Sequence, residues 1–316
     1  MNFNKFKLLA GDASFRRFYR STNGSVIVFS KKNKYSNLLI YEAINRCLNK
    51  NGINAPKLKK NFYNKNYIEI EDLGDNSILK LLKKKAYKNK IYFNIIKTLK
   101  ILQKIQTYKI ITLKKKNYKI PKYTKFKLLE ESNLFLEWYL PFIIKKSKIK
   151  KAKKEIKNTF DNIYKNLKLN QKVFVHRDFH ISNMMYYKKK IYLIDSQDAV
   201  YGNIAYDLAS LIDDVRLKTS KELKNRIFNM FVKLNYSIDK NKFRNDFEIL
   251  SVLRNLKIIG IFTRLAIRDR KKKYMKMIPY AWKMIEHRMS ENFLFKDLKI
   301  KLNKYFSKKV RSKKWK

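Results

Sequence analysis

Two short polar stretches between Val173 and Val200 hold the side chains of this chain that are best suited to chemistry. They are HRDFHISN, residues 176–183, and IDSQD, residues 194–198. An apolar, strand-like run precedes each stretch, so their side chains should lie at strand ends, where they can converge on one cleft. Carboxylate and amide oxygens suit Mg²⁺, which usually shares its protein ligands with substrate phosphates. A further aspartate beside such a metal can accept a hydroxyl proton, and phosphoryl transfer needs this set of groups.

The spacing of these residues sharpens that prediction. His176, Arg177 and Asp178 form an H-R-D triplet, Asn183 follows Asp178 by five residues, and Asp195 follows it by 17, after a hairpin. In phosphoryl-transfer sites with this order, the first aspartate is the base, while the asparagine and the second aspartate hold the metal.

Two other interpretations of the same residues carry less weight. The polar side chains could simply cap loops, or His176 and His180 could bind zinc. A His-x-x-x-His pair binds zinc when it lies on a helix, whereas this pair follows a strand-like run with no glutamate after the first histidine and no nearby cysteine. The third histidine, His287, stands alone in a predicted helix and is not expected to be a ligand.

Residues that follow the second polar stretch are candidates for supporting roles. Gln197 and Asp198 come directly after Asp195 and its neighbour, so they could face the substrate. Asp207 lies at a predicted helix start, where the helix dipole and unpaired N–H groups favour a carboxylate. We therefore expect Asp207 to be a structural brace for the catalytic loop.

The elements before residue 76 indicate a small sheet with one helix. Strand-like runs flank Asn23-Gly24, a hairpin signal because both turn positions are expected to need positive φ. A helix is predicted from Tyr35 to Lys50, ending at Asn51-Gly52. A further strand is predicted from Tyr67 to Glu71.

The rest of the chain is predicted to be mostly helical, apart from a strand at 173–175 and a hairpin of NMMYY and KIYLID. Predicted domains are therefore a β-rich N-lobe, residues 1–72, and a helical C-lobe, residues 73–316, in an α+β fold. The predicted helices span residues 76–106, 126–145, 151–168, 204–216, 219–235, 242–267 and 273–304.

The composition indicates a folded chain with an unusual charge. The 316 residues include 76 Lys+Arg and 25 Asp+Glu, a formal net charge of +51. Such a charge could indicate a polyanion partner. The enriched residues all have A/T-rich codons and the lysines are spread along the chain, so codon bias is the favoured explanation and nucleic acid is not expected.

The cysteine count and the hydropathy of the chain indicate its cellular compartment. The single cysteine, Cys47, cannot form an internal disulfide, which fits a reducing environment. The N-terminal residues lack a long apolar run, and no run approaches the ~18 residues of a membrane span. We expect a cytoplasmic protein without a membrane partner; a monomer is favoured, although the sequence does not fix the oligomeric state.

Several stretches together resemble the aminoglycoside phosphotransferase/choline kinase-like superfamily, and more narrowly the bacterial anomeric kinases of N-acetylmuramate and N-acetylglucosamine in cell-wall recycling. The resemblance covers almost the whole chain and implies a two-lobed protein-kinase-like fold that uses ATP and Mg²⁺. It rests on GDASFRRFYR (11–20), EDLGD (71–75), LFLEWYL (134–140), HRDFHISNMM (176–185), IDSQDAVYGNIAYDLASLIDDVR (194–216) and RNLKIIGIFTRLAIRDRKKKYMKMIP (254–279).

The resemblance also implies roles for individual residues. Asp178 would be the catalytic base within the triplet of His176 and Arg177, and Asn183 and Asp195 would hold Mg²⁺. The turn with Ala13, Ser14, Phe15 and Arg16 would cover the ATP phosphates, using backbone N–H groups and either Arg16 or Arg17. The segment of Glu71, Asp72, Leu73 and Gly74 would be the hinge that reads adenine. The acceptor pocket would involve His180, Gln197, Asp198, Glu137 and Trp138.

Several departures from the family pattern affect the phosphate site and the acceptor pocket. The third strand, SVIVFS, has no lysine, so Lys31 or Arg16 would have to neutralise phosphate. Glu42 would be the helix glutamate of that ion pair or, alternatively, an ordinary surface charge. Ser196 replaces an aromatic residue, Asn203 a proline and Arg270 a glycine.

The expected function is ATP- and Mg²⁺-dependent phosphorylation of a small molecule, most simply at the anomeric hydroxyl of an amino sugar. The same chemistry on an aminoglycoside, choline or another sugar is one alternative. A non-catalytic polyanion-binding protein is the other.

Overall fold

The computed structural model describes residues 6–10, 16–30, 36–84, 88–170 and 172–315. The chain divides into two compact units. Unit 1 comprises residues 1–122 and 173–201, and unit 2 comprises residues 123–172 and 202–316. The lobe boundary predicted after residue 72 stays a prediction.

The described residues of unit 1 form strands and three α-helices. The five-stranded antiparallel sheet has the order β1-β2-β3-β5-β4, and β6 with β7, β8 with β11, and β9 with β10 form two-stranded sheets. The helices are α1 (Ser36–Lys50), α2 (Ile78–Lys83) and α3 (Lys88–Gln103). The strands are β1 (Lys7–Ala10), β2 (Arg16–Arg20), β3 (Ser25–Ser30), β4 (Leu58–Phe62), β5 (Tyr67–Glu71), β6 (Lys109–Ile111), β7 (Asn117–Lys119), β8 (Lys172–Val175), β9 (Met184–Tyr187), β10 (Lys190–Leu193) and β11 (Val200–Asn203).

The apolar face of the large sheet packs against the first helix. Val26, Val28, Ile68 and Ile70 alternate along β3 and β5, and they form one core with Leu38, Leu39 and Tyr41 of α1. The spacing of these helical residues places them on one side of α1, as the periodicity of a helix on a sheet requires. This packing fixes the position of α1 against the strands that carry Arg16 and the hinge.

The turn signals in unit 1 are mostly confirmed. The hairpin of β2 and β3 forms, closed by a hydrogen bond from Ser21 N to Ser25 O of 2.9 Å. Of the two predicted turn residues, Gly24 has a positive φ of 70° and Asn23 does not, so the expectation for Asn23 is wrong. The four-residue connection needs one left-handed residue rather than two. Helix α1 ends as predicted, with Gly52 at φ 77°.

Unit 2 is helical. Its long central helix, α9, packs against α10, α4 and a π-helical turn at Phe135–Tyr139. Further 3₁₀ turns cover Lys272–Met277 and Phe293–Phe295. The helices are α4 (Lys125–Leu134), α5 (Leu140–Ile143), α6 (Lys146–Lys165), α7 (Tyr206–Ile212), α8 (Lys221–Leu234), α9 (Lys240–Ile267), α10 (Ile278–Glu291), α11 (Lys296–Tyr305) and α12 (Lys308–Arg311).

A glycine allows the close contact between α9 and the π-helical turn. A Cβ atom on Gly260 would lie 2.3 Å from the carbonyl carbon of Leu134 and 2.5 Å from the backbone nitrogen of Phe135. Distances this short to backbone atoms exclude every larger residue unless the helices separate. Gly260 thus fits α9 directly against the start of the turn that carries Glu137 and Trp138.

Two of the predicted helices, 76–106 and 273–304, are wrong in their continuity, whereas the predicted span 126–145 is helical without a break from Lys125 to Ile143. The span 76–106 contains α2 and α3, 126–145 contains α4, the π-helical turn and α5, and 273–304 contains two 3₁₀ turns, α10 and α11. The sequence also did not predict β1 or the hairpin of β6 and β7. Within the described residues, no helix is both long and apolar enough to cross a membrane.

Candidate active site

The loop after β8 brings Asp178 and Asn183 together by hydrogen bonds to one carbonyl group. The backbone oxygen of Asp178 accepts from His180 N at 2.9 Å and from Asn183 Nδ2 at 3.1 Å. Arg177 turns the chain here with a left-handed φ of 71°, which is uncommon for a residue with a side chain. The turn fixes Asn183 beside the backbone of Asp178.

The hairpin of β9 and β10 then returns the chain to the same place. Ile194 N donates to the backbone oxygen of Asn183 at 3.0 Å, so the residue before Asp195 is bonded to Asn183. Asp195 has a φ of 63° and its side chain is 39% exposed. These hydrogen bonds bring the chain segments of Asp178, Asn183 and Asp195 together, and the base and metal roles of their side chains stay predictions.

The donor set of this loop fits Mg²⁺ better than zinc. Asn183 Nδ2 donates to Asp178 O, so the Oδ1 atom of the same amide is the atom that could serve as an oxygen ligand. Asp195 adds a partly exposed carboxylate, and Mg²⁺ commonly takes one or two such groups together with substrate phosphates. Within the described ranges, no three His, Cys, Asp or Glu side chains are grouped so as to hold a metal ion.

His176 lies underneath the loop, only 1% exposed. Burial lowers its pKa, while the carboxylates of Asp178 and Asp195 and the backbone of Ile194 oppose that shift. His180 is also buried, with Nε2 3.5 Å from Asn183 Nδ2. Both histidines thus contact the loop that carries the metal candidates; the roles predicted for them stay predictions.

Arg16 is the residue whose importance sequence reasoning undervalued. It begins β2, is 2% exposed, and forks across the second polar stretch. Its Nη2 lies 2.6 Å from Asp195 Oδ1 and its Nη1 lies 2.6 Å from Gln197 Oε1. Gln197 Nε2 in turn donates to Asp198 Oδ2 at 2.5 Å. A guanidinium fork of this kind fixes both the distance and the orientation of its partners.

Two side chains of α1 complete the surroundings of Arg16. The guanidinium carbon lies 5.3 Å from the ring centre of Tyr41, within range of a cation–π contact. Burial raises the pKa of Tyr41 to about 12, so its hydroxyl, which is bonded to Asn45, stays neutral. Asn45 Oδ1 also accepts from Ser196 Oγ at 2.6 Å. Ser196 is fully buried, and this bond satisfies the hydroxyl that stands where an aromatic residue was expected.

Arg177 and Asp198 meet at the outer side of the loop. Arg177 Nη1 donates to the backbone oxygen of Asp198 at 3.3 Å. Tyr118 of β7 lies close to both: burial raises its pKa, Asp198 raises it further, and Arg177 opposes the shift. No sequence pattern indicated Tyr118, because the short hairpin that carries it has no hydrophobic periodicity.

An arginine also holds the predicted hinge. Arg20 Nε lies 2.6 Å from Asp72 Oδ2, and its Nη1 contacts Asp75 at 3.0 Å. Asp72 Oδ1 further accepts from Gly74 N at 2.8 Å, which closes the loop after β5. Leu73 is buried and Glu71 is partly buried. The conformation of the hinge is thus fixed from β2, while its contact with adenine stays a prediction.

Other candidates are not brought to this loop by the described contacts. Ala13, Ser14, Phe15 and Lys31 lie outside the described residues. Glu42 is buried and its Oε1 lies 2.8 Å from Arg46 Nε on the same helix, so the surface-charge interpretation is wrong.

The remaining candidates belong to unit 2. Glu137 is exposed and Trp138 is half-buried in the π-helical turn, a distortion that is frequent at functional sites. Asp207 is fully buried in the first turn of α7, the helix start that the sequence predicted. Their predicted roles, in the acceptor pocket and as a brace, stay predictions.

Comparisons with known proteins identify the family of this chain. The profile of the phosphotransferase enzyme family matches residues 5–232. The chain is 29% identical over 283 residues to the N-acetylmuramate/N-acetylglucosamine kinase of Neisseria meningitidis serogroup B, covering 85% of this chain and 81% of that protein.

Solved structures share the fold at low identity. A choline/ethanolamine kinase family protein from Mesorhizobium loti has a TM-score of 0.61 at 10% identity, covering 95% of this chain and 92% of its own. The ADP-bound aminoglycoside phosphotransferase APH(2'')-Ib has a TM-score of 0.59 at 14% identity, covering 90% and 93%. The chain belongs to the phosphotransferase enzyme family, has its two-lobed kinase-like fold, and is a kinase.

Proposed function

We propose that this member of the phosphotransferase enzyme family transfers the γ-phosphoryl group of ATP, with Mg²⁺, to the anomeric hydroxyl of an amino sugar such as N-acetylmuramate or N-acetylglucosamine. The observation that carries the chemistry is the closed turn of Asp178, Asn183 and Asp195. The sugar is supported by the name of the Neisseria relative, which aligns over most of this chain.

In the proposed reaction, the acceptor oxygen forms a bond to the γ-phosphorus as the bond from that phosphorus to the bridging oxygen of ADP breaks. The hydroxyl proton goes to the carboxylate of Asp178. An anomeric hydroxyl is more acidic than an ordinary alcohol, so this base has a modest task. Positioning and charge neutralisation should then supply most of the acceleration.

The other groups of the loop have holding roles in this proposal. Asn183 and Asp195 would hold Mg²⁺, which supplies neutralisation of phosphate charge. Arg177 donates to the backbone oxygen of Asp198, and His176, buried beneath the loop, is proposed to support it by packing. Gln197, Asp198, His180, Glu137 and Trp138 are proposed for the acceptor pocket, the loop of residues 71–74 for adenine, and Asp207 for bracing.

The test is an ADP-release screen with N-acetylmuramate, N-acetylglucosamine, glucose, an aminoglycoside and choline, followed by NMR of the product to locate the phosphate. We expect turnover with an amino sugar and phosphate on its anomeric oxygen. Turnover only with choline or an aminoglycoside would refute the sugar assignment. Retention on heparin without any ATP turnover would favour the polyanion-binding alternative.

Substitutions test the assignment of the loop. Asp178→Ala should lower turnover by about 10²–10⁴-fold, the usual contribution of a general base. Asp195→Ala should bring turnover to background because it removes a metal ligand. Asp178→Ala should unfold at the same temperature as the parent chain, whereas Asp195→Ala also removes the partner of the buried Arg16 and should unfold at a lower temperature, so turnover is compared per folded molecule. The control is Glu130→Ala, which removes an exposed carboxylate paired with Lys127 and should leave turnover unchanged. Near-normal turnover in either aspartate variant contradicts the proposal.

A further inference from the structure

The third strand of the sheet lacks a cation, and the neighbouring strand supplies one at the same level. Strand β3 has the sequence SVIVFS. Its last residue, Ser30, pairs with Arg16 across the ladder of β2 and β3. Arg16 therefore brings a guanidinium to the end of the third strand from one strand away.

That guanidinium is held in a deeply buried position. The Arg16 side chain is 3% exposed, whereas the Asp195 side chain that it contacts is 39% exposed. Gln197 Oε1 accepts a hydrogen bond from Nη1 of Arg16, and the guanidinium group lies over the ring of Tyr41. Removing the partner of a buried charge is strongly unfavourable, so Arg16 cannot give up Asp195 without gaining another anion.

The same contact bears on the binding of a divalent cation. Oδ1 of Asp195 is occupied by a full positive charge at 2.6 Å. A second cation on this carboxylate would be repelled by the guanidinium, because like charges a few ångströms apart raise the free energy of the bound state. Nucleotide phosphates remove that repulsion, since they offer Arg16 a replacement anion and offer the metal further oxygen ligands.

We propose that Arg16 keeps the Asp195 carboxylate occupied in the nucleotide-free chain and exchanges it for nucleotide phosphates, so that a divalent cation reaches Asp195 only together with nucleotide. This inference rests on the proposed function, because it takes Asp195 to be the metal ligand. Arg16 is then both the phosphate cation that β3 lacks and the group that couples metal binding to nucleotide binding. Such coupling is reciprocal: whatever the nucleotide does to metal affinity, the metal does to nucleotide affinity.

The experiment measures two affinities in the absence of turnover. Mn²⁺ binding to the nucleotide-free chain is followed by the EPR signal of unbound Mn²⁺, and ADP binding is measured by calorimetry in EDTA. Arg16→Gln should bind Mn²⁺ at least about tenfold more tightly than the parent chain, and metal-free ADP at least about tenfold more weakly. The opposite signs distinguish the proposed role from general damage, which would weaken both.

Three further variants test which side chains cause the changes in Mn²⁺ and ADP affinity. Arg16→Gln combined with Asp195→Asn should lose the gained Mn²⁺ site, which places that site on Asp195. Arg16→Lys keeps the charge and should keep Mn²⁺ out, although it loses the fork. Lys60→Gln is the matched control, because it removes an exposed cation from β4 of the same sheet and should change neither affinity.

The proposal is overturned if Arg16→Gln gains no affinity for Mn²⁺, or gains affinity for Mn²⁺ and ADP together. Should that variant not fold, the parent chain and Asp195→Asn decide the question. We expect the parent chain to bind Mn²⁺ at Asp195 only when ADP is present. An equally tight Mn²⁺ site without ADP refutes the inference. None of these measurements uses an acceptor, so a chain that phosphorylates no sugar refutes the proposed function without changing their outcome.

Discussion

Asp195 and Asp213 each contact a buried arginine, but the two carboxylates differ in how fully they are enclosed. Asp195 in unit 1 is 39% exposed and gives Oδ1 to Arg16. Asp213 in unit 2 is fully buried: Lys224 Nζ lies 2.9 Å from Oδ1, Arg288 Nε lies 2.9 Å from Oδ2, and Ser251 Oγ donates to Oδ2 at 2.5 Å.

The difference separates an exchangeable ion pair from a permanent one. Burial alone would raise the pKa of Asp213, but Lys224 and Arg288 hold it well below its usual range, so the carboxylate stays ionised. With hydrogen bonds to both oxygens and no exposed surface, it can accept no ligand. Asp195 keeps surface open to solvent, so a ligand can compete with Arg16. Enclosure, rather than the ion pair itself, decides which aspartate can take part in binding.

The strongest test of this comparison removes the charge of the enclosed aspartate. Asp213→Asn leaves Lys224 and Arg288 buried without their shared counter-ion, which should lower the free energy of unfolding by about 3–5 kcal/mol. Turnover per folded molecule should not change. Denaturant unfolding measures the first quantity, and turnover corrected for the folded fraction measures the second.

The matched control is Asp195→Asn, for which we expect turnover near background and a smaller loss of stability than in Asp213→Asn, because Asp195 is 39% exposed and has one cationic partner rather than two. If Asp213→Asn does not fold, Ser251→Ala removes one donor to the carboxylate and should cost about 1–3 kcal/mol. Equal stability losses at Asp195 and Asp213 would break the comparison.

A second prediction tests whether close apolar packing at Gly260 also contributes to the stability of unit 2. Alanine normally stabilises a helix relative to glycine. Gly260→Ala should instead lower the free energy of unfolding by about 1–3 kcal/mol, because the added methyl group overlaps the backbone of Leu134 and Phe135. Thermal unfolding gives the sign directly.

The acceptor provides a second measurement for this variant. If the π-helical turn presents Glu137 and Trp138 to the sugar, Gly260→Ala should raise the KM for the acceptor more than the KM for ATP. A helical control is Ala266→Gly in the last turn of α9, where the ordinary propensity loss of about 1 kcal/mol is expected. A stabilised Gly260→Ala chain would show that the contact with the turn is loose.

The sequence could predict the candidate loop of residues 176–183 because its geometry is local. Asp178 and Asn183 are joined by a bond between residues five apart, and a four-residue strand on either side fixes where the loop begins and returns. Residue types and spacing contain that information. The apolar alternation of β3 and β5 and the cap of α1 at Gly52 were predictable for the same reason.

The contacts that the sequence did not predict join distant residues. Arg16 and Gln197 are 181 positions apart, and no pattern within either segment indicates that they meet. Glu42 looked like a surface charge because the four-residue spacing to Arg46 does not show that the glutamate is buried. The close packing of α9 on the π-helical turn requires Gly260, more than a hundred residues away from that turn. Each of these features is decided by tertiary packing, which overrides local propensity.

The smallest expected effect is the dependence of stability on pH, and it tests the enclosed aspartate alone. Because the pKa of Asp213 is lower in the folded chain than in the unfolded one, its ionised form contributes stability above the unfolded value of about 4. That contribution is lost as the pH falls towards the folded value. The unfolding free energy of the parent chain should therefore approach that of Asp213→Asn below about pH 4, by at most about 1.4 kcal/mol per pH unit.

Taking the difference between the two chains cancels the titration of the other carboxylates, which both chains share. Between about pH 5 and 7 the difference should be constant, since Asp213 is ionised in the folded and the unfolded chain alike. A difference that already changes in that range would mean that Asp213 gains protons near neutral pH. Its carboxylate would then not be the fixed counter-ion of Lys224 and Arg288, and the contrast with the exchangeable Asp195 would lose its basis.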